Sequence, residues 1–114
     1  VIRSNGAMKR DYMHVQDAVE GYMLLAECIN VPTVKGQAFN FGTGVPYSVL
    51  EVVSLIGDLV GGEKLPPAIL GNTASEIPNQ FLDVSKATNQ WGWEARISLE
   101  EGLRSTIDWY KSLI

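Results

Sequence analysis

Arg10, Tyr12 and His14 stand at alternate positions of the run Met8-Lys9-Arg10-Asp11-Tyr12-Met13-His14-Val15. In an extended chain they point to one face, and Lys9, Asp11 and Met13 point to the other. A guanidinium with an aromatic ring two residues on suits a phosphate with a flat base or ribose beside it. Bare spacing also accommodates a surface arginine paired with Asp11 or Asp17. Tyr12 alone reads as half-buried strand packing, His14 as a structural residue and Cys28 as a small core residue.

Other chemistries find no footing. Gly42-Thr43-Gly44 looks like a dinucleotide loop, but the fingerprint needs a third glycine where Tyr47 stands. No acidic residue closes a further strand about 20 residues on, where a ribose would be read. The loop is therefore expected to be a tight strand-to-helix turn and not an NAD site. A tyrosine base with a lysine one helical turn on is also missing, because the four tyrosines are followed at that spacing by Gln16, Ala26, Glu51 and Ile114. His14 is the only histidine and no Gly-x-Ser-x-Gly elbow exists, so no nucleophilic triad is expected. One histidine and one cysteine make a transition-metal site implausible. Glu51 and Glu76 fall in different elements, and sequence alone does not join them as an acid/base pair.

The elements that position these residues follow from periodicity. Asn5-Gly6 between Val1–Ser4 and Met8–Val15 predicts a hairpin. Asp17 with Glu20 predicts a capping box, ahead of a helix with Ala18, Tyr22, Leu25, Ala26 and Ile29 as its buried stripe and Pro32 as its stop. Gln37–Phe41 predicts a strand leading into the glycine loop. Ser48 with Glu51 opens a second helix, buried through Val49, Val52, Val53, Ile56 and Val60 and ended by Gly61-Gly62. Ala68–Leu70 predicts a strand within a stretch that holds three of the five prolines. Ser85–Trp91 predicts a short helix closed by Gly92. Ser98 with Glu101 opens the last helix, with Leu99, Leu103, Ile107 and Tyr110 on one side. Trp91, Trp93 and Trp109 are expected to pack the last two helices onto the body. No repeat or linker divides the 114 residues, so residues 1–114 are expected to be one mixed α/β unit.

Composition agrees. Hydrophobic residues at 46% and charged residues at 19% are ordinary for a folded domain. The basic residues are scattered in a chain of net charge -4, so nucleic acid is not an expected partner. Apolar runs are far shorter than a membrane span, and no secretory leader opens the chain. A single cysteine suits a reducing compartment, and a cytoplasmic location is expected. The chain opens on Val1 as a strand under way and reads as a piece of something longer.

Arg10-Asp11-Tyr12-Met13-His14-Val15-Gln16-Asp17, followed by an Ala/Val-rich helix, resembles the Arg-Asp-aromatic-x-(Tyr/His)-Val-x-Asp signature of the extended short-chain dehydrogenase/reductase family. That family includes the nucleotide-sugar epimerases and 4,6-dehydratases. Phe39–Gly44 with Ser48–Glu51, Asp83–Ala87 with Trp91-Gly92-Trp93, and Ser98–Leu103 resemble three later segments in the same order, so the likeness runs from about Val1 to Leu113. It implies the family's small C-terminal substrate domain. NAD or NADP and the Tyr-x-x-x-Lys chemistry would then belong to an N-terminal Rossmann half.

The resemblance implies that Arg10 grips a nucleotide-sugar diphosphate, with Tyr12 beside the nucleotide, Val45 near the base and Glu76 reaching the ribose. Thr73 stands where many epimerases have a second phosphate arginine, and Lys64 or the other half would have to compensate. The run Asn72–Pro78 looks closer to the CDP-glucose 4,6-dehydratase branch. Expected partners are a nucleotide-diphosphate sugar, the N-terminal half and a second copy in a homo-oligomer, with no membrane. The alternatives are a non-catalytic interaction module and an extended reductase with a non-sugar substrate.

Overall fold

The computed structural model describes residues 1–61, 66–72 and 77–113. β1 (Lys9–Asp11) is the middle of a three-stranded sheet ordered β2-β1-β3. β2 (Pro46–Ser48) pairs antiparallel with it, Arg10 opposite Tyr47, and β3 (Asn79–Gln80) pairs parallel, Arg10 opposite Gln80. The helices are α1 (Val15–Cys28), α2 (Val49–Val60), α3 (Ser85–Trp91) and α4 (Leu99–Lys111). The expected mixed α/β class is observed.

Three helices start or stop where local chemistry says. The hydroxyls of Ser48 and Ser98 accept from the amides of Glu51 and Glu101, whose carboxylates accept in return from the cap amides. Gly92, with φ of 65°, ends α3 in the left-handed region.

The first helix departs from expectation. Its N-cap is His14, whose Nδ1 accepts from the Gln16 amide at 3.3 Å, and Asp17 lies inside it. Asp17 is 2% exposed and accepts the amides of Arg96 and Ile97, each at 3.1 Å. A carboxylate taking two otherwise orphaned turn amides is worth more there than as a cap. Asp17 and Gly21 are the buried side of α1, while Tyr22, Ala26 and Ile29, expected in the core, are exposed.

The hairpin is not formed. The chain turns at Gly6, φ 78°, with Ser4 Oγ accepting the Gly6 amide and Asn5 Oδ1 accepting the Ala7 amide. Its two arms then find different long-range partners. Ile2 bridges Ile69, the whole of the strand expected at 68–70, and β1 joins β2 and β3. These pairings bury Ile2 and Met8, which a two-stranded ribbon would leave wet.

No strand forms at 37–41 either. The alternation is there, since Phe39 packs on Trp91 (ring centroids 4.4 Å apart) and Phe41 on Trp93 (4.7 Å). What is lacking among the described residues is a neighbouring strand, and Lys86 Nζ takes the Ala38 carbonyl at 2.9 Å instead. Trp91 and Trp93 thus pack as expected. Trp109 does not: it is exposed and meets only Tyr110 edge-on among described rings.

The unit is a thin slab of 53 × 37 × 20 Å with a radius of gyration of 17.1 Å. A compact chain of this length has a radius of about 13 Å. Its accessible surface is 7979 Å², against about 6,200 Å² for a compact monomer of 12.5 kDa. Much of the excess is apolar, with Val15, Val19, Tyr22 and Met23 of α1 all more than half exposed. Among the described residues no helix is long and apolar enough to cross a membrane.

Candidate functional site

Arg10 sits at the centre of the middle strand. Its Nη1 donates to the carbonyls of Lys9 (2.8 Å) and Ile77 (2.9 Å), which fixes the guanidinium plane against the segment entering β3. The side chain lines a cavity of about 340 Å³ with Ile2, Arg3, Met8, Val49 and Val53. Pairing with Asp11 or Asp17, the alternative left open by spacing, is not what the structure shows, because both carboxylates are turned elsewhere.

Asp11 points away from Arg10, as strand alternation requires. Its Oδ1 accepts the Thr43 amide (2.9 Å) and hydroxyl (2.5 Å), and its Oδ2 accepts the amides of Gly44 (3.0 Å) and Leu82 (3.4 Å). Burial pushes this carboxyl up. The bonds from Thr43, Gly44 and Leu82 outweigh it and hold Asp11 below its ordinary value of 3.8. A Cβ on Gly42 would lie 2.7 Å from Asp11 Oδ2, so the loop needs glycine there to close on the carboxylate.

That geometry decides what the glycine loop can hold. A dinucleotide loop turns its amides to a pyrophosphate, whereas here the Thr43 and Gly44 amides are turned to Asp11. The loop does not fit a nicotinamide dinucleotide. Among the described residues no group of three or more His, Cys, Asp or Glu could hold a metal ion.

The other expected site residues are dispersed. Tyr12 lines a different cavity, of about 210 Å³, with His14, Val52, Leu99, Gly102 and Leu103. Arg10 therefore shares its cavity with Val49 and Val53 of α2 and Tyr12 shares its own with Val52, and neither of these two cavities is lined by both. His14 packs on Gly102, where a Cβ would lie 3.1 Å from its ring, which fits its structural reading. Val45 is exposed just past the Asp11-bound loop, and its amide donates to Thr43 Oγ1 at 3.1 Å. Glu76, Thr73 and Lys64 lie outside the described residues. Asp11 and Asp17 are the residues whose roles spacing did not disclose. For Asp11 the available signal was its parity, opposite to Arg10, together with two glycines flanking Thr43.

Fold and loop together define a small mixed α/β unit in which Arg10 lines a cavity and the glycine loop is closed on Asp11. No family model matches the chain. The UDP-glucose 4-epimerase of Bacillus subtilis (strain 168) is 35% identical over 108 residues, covering 95% of this chain and 31% of that protein. Of solved structures, the Thermotoga maritima UDP-glucose 4-epimerase with UDP-glucose is similar with a TM-score of 0.83 and 29% identity, over 98% of this chain and 34% of that one. The Bifidobacterium longum UDP-glucose 4-epimerase in complex with NAD+ and UDP gives 0.81 and 28%, over 97% and 34%. The chain thus spans about a third of the length of the relatives it matches. It is similar to the C-terminal portion of these nucleotide-sugar epimerases.

Proposed function

We propose that this chain is the substrate-anchoring part of a nucleotide-sugar 4-epimerase and that Arg10 holds the diphosphate. The observation that carries the reading is Arg10 itself, a guanidinium immobilised by two carbonyls on the central strand and lining a cavity of about 340 Å³. In this reading Val45 meets the base and Glu76 the ribose. Tyr12, which lines the neighbouring cavity with Val52 of α2, stands beside the nucleotide. The cofactor, NAD or NADP, is held by the N-terminal half of the parent protein, which also covers the apolar face of α1. No step of its chemistry falls to the residues described above. What this chain supplies is grip: fixing remote phosphates sets the sugar at the reactive centre, where binding energy becomes rate. Residues 1–114 alone have no turnover in this reading, and the parent is placed in the cytoplasm.

The relatives favour an isomerase. A 4,6-dehydratase would use the same grip, so the products decide: supplying UDP-glucose to the intact parent protein yields the C4 epimer in one case and a 4-keto-6-deoxy sugar in the other. Calorimetric titration of the parent with UDP, CDP, dTDP and GDP tests the grip. One diphosphate should bind preferentially, and Arg10→Ala should weaken it on the order of tenfold or more. Equal, weak binding of all four, unchanged by the substitution, would leave a non-catalytic interaction module or a reductase acting on a non-sugar substrate.

A further inference from the structure

We infer that Asp11 and Thr43 are positioning residues for the nucleobase: their hydrogen-bonded relay fixes Val45 and so sets which base the loop selects. The inference rests on the reading, given above, that Val45 meets the base. Thr43 Oγ1 donates to Asp11 Oδ1 at 2.5 Å and accepts the Val45 amide at 3.1 Å. A hydroxyl has one proton and two lone pairs. With the proton on the carboxylate, the shortest of its contacts, a lone pair is left for the Val45 amide. Asp11 holds Val45 from both neighbours as well. Its Oδ2 accepts the Gly44 amide at 3.0 Å, and its backbone stands opposite Pro46 in the antiparallel pairing of β1 with β2. Val45 lies between these two residues, and the residue before a proline is held to extended backbone.

Fixing Val45 bears on selectivity and not on grip. Every nucleoside diphosphate carries the same phosphates, so a cation on them does not tell one base from another. Discrimination needs a contact that cannot re-pack around a second base, because a mobile surface accommodates several partners. Val45 meets that requirement: its side chain is 49% exposed while its backbone is tied on both sides. The remaining bond to the carboxylate, from the Leu82 amide at 3.4 Å, comes from just beyond β3. β3 flanks β1 on the side away from β2, so one carboxylate sets the loop against all three strands. Asp11 does this from the face of β1 opposite to Arg10, which leaves the ligand side of the strand clear of the relay.

The test measures affinities of the intact parent protein for UDP, CDP, dTDP, GDP and inorganic pyrophosphate, which has two phosphoryl groups and no base. Thr43→Val keeps the shape and removes the hydroxyl. It should cut the preference for the favoured base about tenfold, the scale of one hydrogen bond to a charged group, while pyrophosphate affinity changes by less than about twofold. Asp11→Asn should act in the same direction, and Thr43→Ser, which restores the hydroxyl, should keep the preference. Thr43→Ala gives the same readout if valine lowers the unfolding midpoint, and retained pyrophosphate binding shows that each variant is folded. An unchanged preference in Thr43→Val and Thr43→Ala, with the preference still lost in Val45→Ala, would overturn the inference and leave the Val45 reading standing. A preference unchanged in Val45→Ala as well would overturn both. A loss shared equally by pyrophosphate would make the relay a general prop of the fold and would also overturn the inference.

Discussion

Asp17→Asn exchanges one atom of a side chain that is 2% exposed, and its cost can be worked from geometry. Each carboxylate oxygen accepts one amide at 3.1 Å, from Arg96 and Ile97, across 79 and 80 residues of chain. The asparagine amide has one oxygen, so its NH2 confronts the second N–H, donor against donor. A hydrogen bond to a charged acceptor is worth about 1.5–3 kcal/mol and a stranded buried amide costs about 1–3 kcal/mol. Together the substitution should destabilise by about 3–5 kcal/mol, a large share of the 5–15 kcal/mol typical of a folded protein. Urea unfolding of the parent followed by tryptophan fluorescence reads this out. With a slope of about 1–3 kcal/mol per M, the midpoint should fall by more than about 1 M. Glu20→Gln, on the exposed side of the same helix, should stay within about 0.5 kcal/mol. A midpoint for Asp17→Asn equal to that of Glu20→Gln would refute the argument that this carboxylate holds the turn before α4.

Asp11, held below its ordinary value, favours the ionised fold, so its contribution is fully present above about pH 4 and is lost as pH falls through the lowered folded value. Acid unfolding of Asp11→Asn should lack that component, and curves of identical shape for the two proteins would contradict it. Gly21→Val places a Cβ 2.8 Å from the Phe41 ring, which meets Trp93 edge-on, and should cost about 1–3 kcal/mol in thermal melts. Phe41→Leu in the same chain should recover part of the loss. The isolated 114-residue chain should self-associate through α1, and Tyr22→Lys with Met23→Glu should shift its sedimentation towards monomer. An unsubstituted 114-residue chain already monomeric at high micromolar concentration would show that the exposed face does not drive association.

What could be read from sequence follows how far apart the partners lie. α2, α3 and α4 were legible because Ser48 with Glu51, Ser98 with Glu101 and Gly92 act within one turn. The sheet was not, because Arg10 pairs with Tyr47 and Gln80, and nothing local to Asn5-Gly6 announces those partners. The facing of α1 was misjudged for the same reason: the apolar stripe suggested a core, while Asp17 answered to amides 79 and 80 residues away. At the site, alternation predicts Arg10 and Tyr12 on one face. It does not say that they line separate cavities.

The latch between Asp11 and the glycine loop bears on how such a unit diversifies. Residues 42–44 are committed: Gly42 has no room for a side chain, and the amides of Thr43 and Gly44 are bound to the carboxylate. Val45 comes next in the chain with its side chain exposed, and its backbone is steadied by the Thr43 hydroxyl. A substitution at 42–44 disturbs the fold, whereas one at 45 changes only what the loop presents. Variation in what this loop touches therefore has a cheap route through a single position, with Arg10, on the opposite face of the same strand, left in place.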